Sequence, residues 1–123
     1  MKEELGEIAK IVDKRLARYL KGPGVLYGPM DYLVGAGGKR IRPALTVLTA
    51  KACGGGQEPA LDFGCGVELI HNFTLIHDDV MDNDRTRRGQ DSVHIKFGVP
   101  SAINAGDGMF AVAFRCIAES NAD

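Results

Sequence analysis

An all-α fold, with helices packed in antiparallel layers, follows from three features of the chain. Apolar residues recur at spacings of three and four, Gly and Pro separate the periodic stretches, and no segment alternates convincingly as a strand. Leu5, Ile8, Val12, Leu16 and Tyr19 mark a first amphipathic helix, which Gly22-Pro23-Gly24 ends. In VLYGPMDYLVGAG, Tyr32 and Leu33 fall in a brief helix beginning near Pro29, and Gly35, Gly37 and Gly38 break it. Pro43 suits the first turn of the next helix, where its missing N–H costs nothing; that helix runs through ALTVLTAKAC to Gly54-Gly55-Gly56. A long helix begins near Pro59 and carries Leu61, Cys65, Leu69, Phe73, Ile76 and Val80 as a nearly continuous stripe. Pro100 opens a last helical stretch, SAINAGDGMFAVAFRCIAES.

With 123 residues, no internal repeat and no low-complexity segment, the sequence amounts to at most one small domain. Its 45% hydrophobic and 25% charged content and net charge of −1 carry no electrostatic footprint for nucleic acid, so any charged ligand must be handled locally. Cys53, Cys65 and Cys116 are odd in number and form no CxxC pair; they read as reduced, buried, apolar residues of a cytoplasmic protein. The charged N-terminus holds no signal-peptide core, and no apolar run approaches membrane-spanning length. Asn72-Phe73-Thr74 matches a glycosylation acceptor only by chance, since it lies in a helical pattern.

Chemistry concentrates in LIHDDVMDNDRTRRG. Asp78 and Asp82 are one helical turn apart on one face, and Asp79 neighbours Asp82. Three carboxylates so close repel unless a cation sits among them, and a helix C-terminus makes their position worse. Mg²⁺ suits such a group, because it takes hard oxygen ligands and commonly bridges carboxylates to a substrate phosphate. The alternative is an exposed acidic helix end paired with Arg85, Arg87 and Arg88.

A second cluster is GAGGKRIRPAL. It fails the P-loop template, with no Ser or Thr after Lys39, and fails GxGxxG, with Arg40 in the last position. What remains is a glycine turn delivering Lys39, Arg40 and Arg42 to a helix N-terminus, where an anion is favoured and Arg42 can fork onto a phosphate. A basic loop on a solvated face is the other reading. His71 lies about two turns before Asp78 and roughly shares the aspartates' face, although a histidine in an apolar helix is commonly a satisfied core residue. His77 and His94 are less informative still, and no Ser/His/Asp or Cys/His arrangement is legible.

Taken in order, GGKRIRPAL, VELIHNFTLIHDDVMDNDRTRRG and HIKFGVPSAINAGD resemble the trans-isoprenyl diphosphate synthases, the polyprenyl synthetases, from about Gly35 to Phe114. The resemblance implies that residues 1–123 are the N-terminal half of an isoprenoid synthase fold carrying the first aspartate-rich motif. It implies that Asp78 and Asp82, supported by Asp79, hold Mg²⁺ against an allylic diphosphate and that Arg87 binds the same group. Lys39, Arg42, His71 and Arg88 match the pocket for the diphosphate of isopentenyl diphosphate. Phe73 and Thr74, the fifth and fourth residues before Asp78, resemble the archaeal geranylgeranyl-type pattern, in which a bulky residue floors the product tunnel. Phe73 as ordinary core is the competing view.

Two departures from the family stand out. Its members are much longer and carry a second aspartate-rich motif, which this sequence lacks. Gly108 replaces the usual bulky residue after the Gly-Asp pair, which loosens that helix or admits a partner side chain. The expectation is one subunit of a split, heteromeric prenyltransferase, completed by a C-terminal chain bearing the second motif; a truncated piece of a longer enzyme is the caveat. The main rival is a non-catalytic small subunit that retunes another synthase, against which the intact motifs argue. A class I terpene cyclase also uses DDxxD, but needs no second diphosphate pocket.

Overall fold

The computed structural model describes residues 1–121. Among them, six α-helices follow in the order α1 (Lys2–Tyr19), α2 (Gly24–Gly35), α3 (Ile41–Ala52), α4 (Gln57–Met81), α5 (Val93–Phe97) and α6 (Val99–Glu119). Between α4 and α5 lies a small antiparallel hairpin of β1 (Thr86–Arg87) and β2 (Gln90–Asp91), which pairs Thr86 with Asp91 and Arg87 with Gln90. The expected all-α class holds, and the strand pairing escapes an alternation test because each strand is only two residues long.

The first helix buries Ile8, Val12, Leu16 and Tyr19, the face that its periodicity marks out. The second corrects the expected start near Pro29: α2 begins at Gly24 and Pro29 lies inside it. A proline there removes the N–H that Val25 C=O would accept, and Val25 is 91% exposed, so water can take that carbonyl. Pro43 falls in the first turn of α3 as expected. The short α5 completes too little of a helical period to be seen in sequence.

The fourth helix is central, packing on α6, α3 and α1. Leu61, Cys65, Leu69 and Ile76 of its stripe are buried, while Phe73 and Val80 are half-buried. Each such buried leucine stabilises the fold by about 2 kcal/mol. The helix also buries Glu68, Asn72 and Asp79, so polar as well as apolar residues face the interior. Glycines on both helices let it approach α6: a Cβ on Gly66 would lie 2.9 Å from Ala113 O. Close approach there is tight enough that a Cβ on Gly106 would lie 2.3 Å from His77 Nε2.

Gly108 does not loosen α6, which runs through it unbroken. It admits Met30 of α2, whose Cε stands 2.2 Å from where a Cβ would be. Cys65 and Cys116 are buried, free, and pushed up to about 12 by burial, hence protonated thiols. Cys53 departs from expectation: it caps α3 at the surface and is exposed. Asn72 is fully buried and donates to Glu68 O at 2.8 Å, so the apparent glycosylation acceptor is core. No helix among the described residues is long and apolar enough to cross a membrane.

Candidate active site

The last turns of α4 sort their polar residues by angle. At about 100° per residue, His71, Leu75, Asp78 and Asp82 form one narrow stripe. Asp78 and Asp82 are exposed, and neither makes a salt bridge among the described residues. Asp82 closes the helix by donating its N–H to Asp78 O at 2.8 Å. Asp79 points elsewhere. It is 2% exposed and held by the fork of Arg87, Nε to Oδ2 at 2.7 Å and Nη2 to Oδ1 at 2.8 Å. That bond also raises the pKa of Arg87.

One arginine therefore neutralises one of three carboxylates at the unfavourable end of a helix dipole. The other two, a turn apart and solvent-facing, form a hard-oxygen pair whose demand for a cation the protein does not meet, and this donor set fits Mg²⁺. No group of three or more His, Cys, Asp or Glu among the described residues could cage a metal unaided. An ion held by Asp78 and Asp82 would thus take its remaining ligands from water and substrate, as Mg²⁺ commonly does.

Arg87 and Arg88 are presented by the hairpin. Arg88 and Gly89 both have positive φ, +53° and +75°, which is the geometry of a tight turn matched to strand twist. Tyr32 of α2 pins this turn, donating its hydroxyl to Asp91 O at 2.8 Å, while Gln90 Nε2 donates to Tyr32 O. Arg88 reaches back to Leu33 O at 2.9 Å.

Beside the hairpin tip comes the glycine turn before α3, where a Cβ on Gly38 would lie only 3.6 Å from Arg88 Nη2. The two meet across a cleft of about 370 Å³ lined by Lys39, Arg42, His71, Arg87 and Arg88. The four residues matched in sequence to one diphosphate pocket are thus in one place, with Arg87 beside them. Glu68, the carboxylate in the cleft wall, is already bound to Arg40 at 3.2 Å. Lys39 and Arg42 are exposed and make no salt bridge among the described residues. The pKa of His71 is lowered by burial and next by Arg42; that of Arg88 is lowered by burial and next by Arg40. Burial is the larger cause of both shifts; the neighbouring positive charge that adds to it is what an anion would relieve.

Arg40 does not join the exposed cations that the sequence places with it. Its guanidinium is buried and fully partnered, and no spacing signal distinguishes it from Arg42. The chain-length pair also divides. Thr74 is exposed and donates to His71 O at 2.7 Å. Phe73, turned about 140° from Asp78 around α4, meets α6, with its ring 5.2 Å from Phe110 and edge-on to His77 at 4.8 Å. Phe110 and Phe114 continue this aromatic row and are 45% and 53% exposed.

The fold and this juxtaposition define the class: a helical isoprenoid synthase architecture. An isoprenoid synthase from Thermotoga neapolitana superimposes with a TM-score of 0.87 at 37% identity, over 92% of this chain and 46% of its own. The family model for polyprenyl synthetases matches residues 23–123, and the chain belongs to that family. A geranylgeranyl pyrophosphate synthase of Geoglobus acetivorans is 43% identical over 122 residues, 98% of this chain and 38% of the relative. The solved enzyme from that archaeon gives a TM-score of 0.91 over 97% of this chain. A farnesyl diphosphate synthase of Geobacillus stearothermophilus is 45% identical over 120 residues and is covered to 40% of its length. This chain spans about two fifths of the length of such relatives.

Proposed function

We propose that this chain forms the N-terminal half-domain, residues 1–123, of a prenyltransferase that condenses isopentenyl diphosphate with an allylic diphosphate, giving a farnesyl- or geranylgeranyl-type product. The reading rests on one observation: a cleft lined by six basic or imidazole side chains, the buried Arg40 among them, lies near two exposed carboxylates at the end of α4 that make no salt bridge among the described residues. Synthases of both product types are among the relatives described above.

Asp78 and Asp82 would hold Mg²⁺ against the allylic diphosphate, where the ion offsets the negative charge that gathers as that group departs. Arg87, fixed in direction by Asp79, donates N–H groups that Asp79 leaves free to the same diphosphate. Lys39, Arg42, His71 and Arg88 bind the diphosphate of isopentenyl diphosphate and hold its double bond toward the allylic carbon, which makes the step effectively intramolecular. Phe73 floors, or with Phe110 walls, the apolar space for the growing product. Such a space also keeps water from the cationic centre.

The second aspartate-rich motif of the family would come from sequence outside residues 1–123, on a C-terminal chain or segment. The test is a Mg²⁺-dependent condensation assay with labelled isopentenyl diphosphate and allylic primers, on this chain alone and with a candidate C-terminal chain. Activity only in the mixture is expected. Activity alone would overturn the need for a partner. Silence in both, with a bound partner, would favour the non-catalytic subunit.

A further inference from the structure

The residue that sets the shape of the basic cleft does not itself offer a free charge to it. Arg40 is 2% exposed, and its guanidinium spends its donors in three directions. Nε donates to Asp13 Oδ1 of α1 at 2.7 Å, Nη1 to Glu68 Oε1 of α4 at 3.2 Å, and Nη2 to Val34 O near the end of α2 at 2.7 Å. Glu68 is in turn approached by Asn72 Nδ2. Three helices are thus tied at one planar group, a geometry that a lysine ammonium cannot reproduce.

The backbone of Arg40 is equally constrained. It has φ +50° and ψ 33°, left-handed values that cost a residue with a long side chain about 1–2 kcal/mol. The conformation persists because the side chain is anchored. It reverses the chain between Lys39 and Ile41, just before Ala44 N–H closes the first turn of α3 onto Arg40 O at 3.1 Å. Lys39 and Arg42, which flank that reversal, both line the cleft. Gly38 completes the arrangement, since a Cβ there would lie 2.8 Å from Arg40 Nη1 and 3.6 Å from Arg88 Nη2.

We infer that Arg40, anchored by Asp13 and Glu68, is a positioning residue that aims Lys39 and Arg42 at the diphosphate of isopentenyl diphosphate. This rests on the assignment of the cleft made above. Arg40 fixes where the two flexible cations start from, and so reduces the ordering that anion binding would otherwise require.

The experiment is calorimetric titration of the full chain with inorganic pyrophosphate in the absence of magnesium, together with thermal denaturation of each variant. Wild type should bind, and Arg42→Gln should lose most of that binding. Arg40→Lys should weaken binding about tenfold, the order expected when a supporting contact is removed. Asp13→Ala, whose side chain is half-exposed and outside the cleft, should weaken it several-fold with an unchanged melting temperature, and Asp13→Glu should restore it. The inference is overturned if Arg42→Gln loses binding while Asp13→Ala and Arg40→Lys stay within about twofold of wild type, a difference under 0.5 kcal/mol. Lack of binding by wild type would instead overturn the assignment of the cleft, and this inference with it.

Discussion

Two charged regions sit about three turns apart on α4, and they treat charge in opposite ways. Around Glu68 the charge is paired within the fold: each nitrogen of the buried Arg40 guanidinium donates, to Asp13, to Glu68 and to the Val34 carbonyl. Among the described residues, the exposed Asp78 and Asp82 carboxylates make no salt bridge, and neither do the exposed Lys39 and Arg42, which line the cleft. A buried charge must be paired by the protein or it destabilises the fold. An exposed unpaired one costs little and keeps its capacity for a ligand. Residue type therefore says less than closure does: Arg40 and Arg42 stand two positions apart, and one is scaffold while the other is available.

The sharpest way to break this contrast is to exchange the consequences. Asp78→Ala or Asp82→Ala should lower Mg²⁺-dependent turnover of the assembled enzyme by about two to three orders of magnitude, the size seen when a group opposing developing charge is removed. Melting temperature should hardly move, because both side chains are exposed. Steady-state kinetics beside a thermal melt would check both halves, and unchanged turnover would sink the metal assignment. Glu68→Ala should do the reverse in stability: about 3 kcal/mol lost, since it leaves the buried Arg40 cation without its buried partner. Urea denaturation measures this, and a loss under about 0.5 kcal/mol would put Glu68 among ordinary surface positions.

A third face of the same helix sharpens the comparison. Phe73→Ala opens space toward Phe110 and should shift the product distribution to longer chains, read by chromatography of the dephosphorylated products. An unaltered distribution would return Phe73 to the core. The smallest effect concerns pH. Burial and Arg42 lower the His71 pKa below its usual 6.5, so the unfolded chain takes up a proton before the folded one does. Stability should therefore fall as pH drops through 6.5 toward the folded-state value. Pyrophosphate in the cleft should raise the His71 pKa and bind more tightly as pH falls, which an NMR titration with and without the anion would show. A His71 pKa indifferent to pyrophosphate would separate it from the anion site.

Much of this was legible in the residues themselves. The 3.6-residue period located α1 and α4, because a helix face buried on one side must repeat that way, while Pro43, Pro100 and the Gly54-Gly55-Gly56 run marked out α3 and α6. Pro29 misled, since a proline is tolerated inside a helix when the orphaned carbonyl reaches water. The hairpin and α5 fell below the length at which any period can be counted. Spacing also put His71 on the aspartates' face, and the cleft contains it. The fate of Asp79 and Arg40 was not legible: each is decided by a partner distant in sequence or across a turn, and local pattern carries no record of such pairings.

The approach of α6 to α4 at Gly106 has a consequence for how this sequence can vary. A methyl at Gly106 would overlap the His77 ring, and that ring also contacts Ile103 O and meets Phe73 edge-on. Neither position can change far by itself. A library randomised at Gly106 alone should return glycine, and one at His77 alone should return few replacements. Randomising both together should uncover pairs, a larger residue on α6 with a smaller one on α4, that single substitutions never reach. Residues 77 and 106 form one steric unit written in two places.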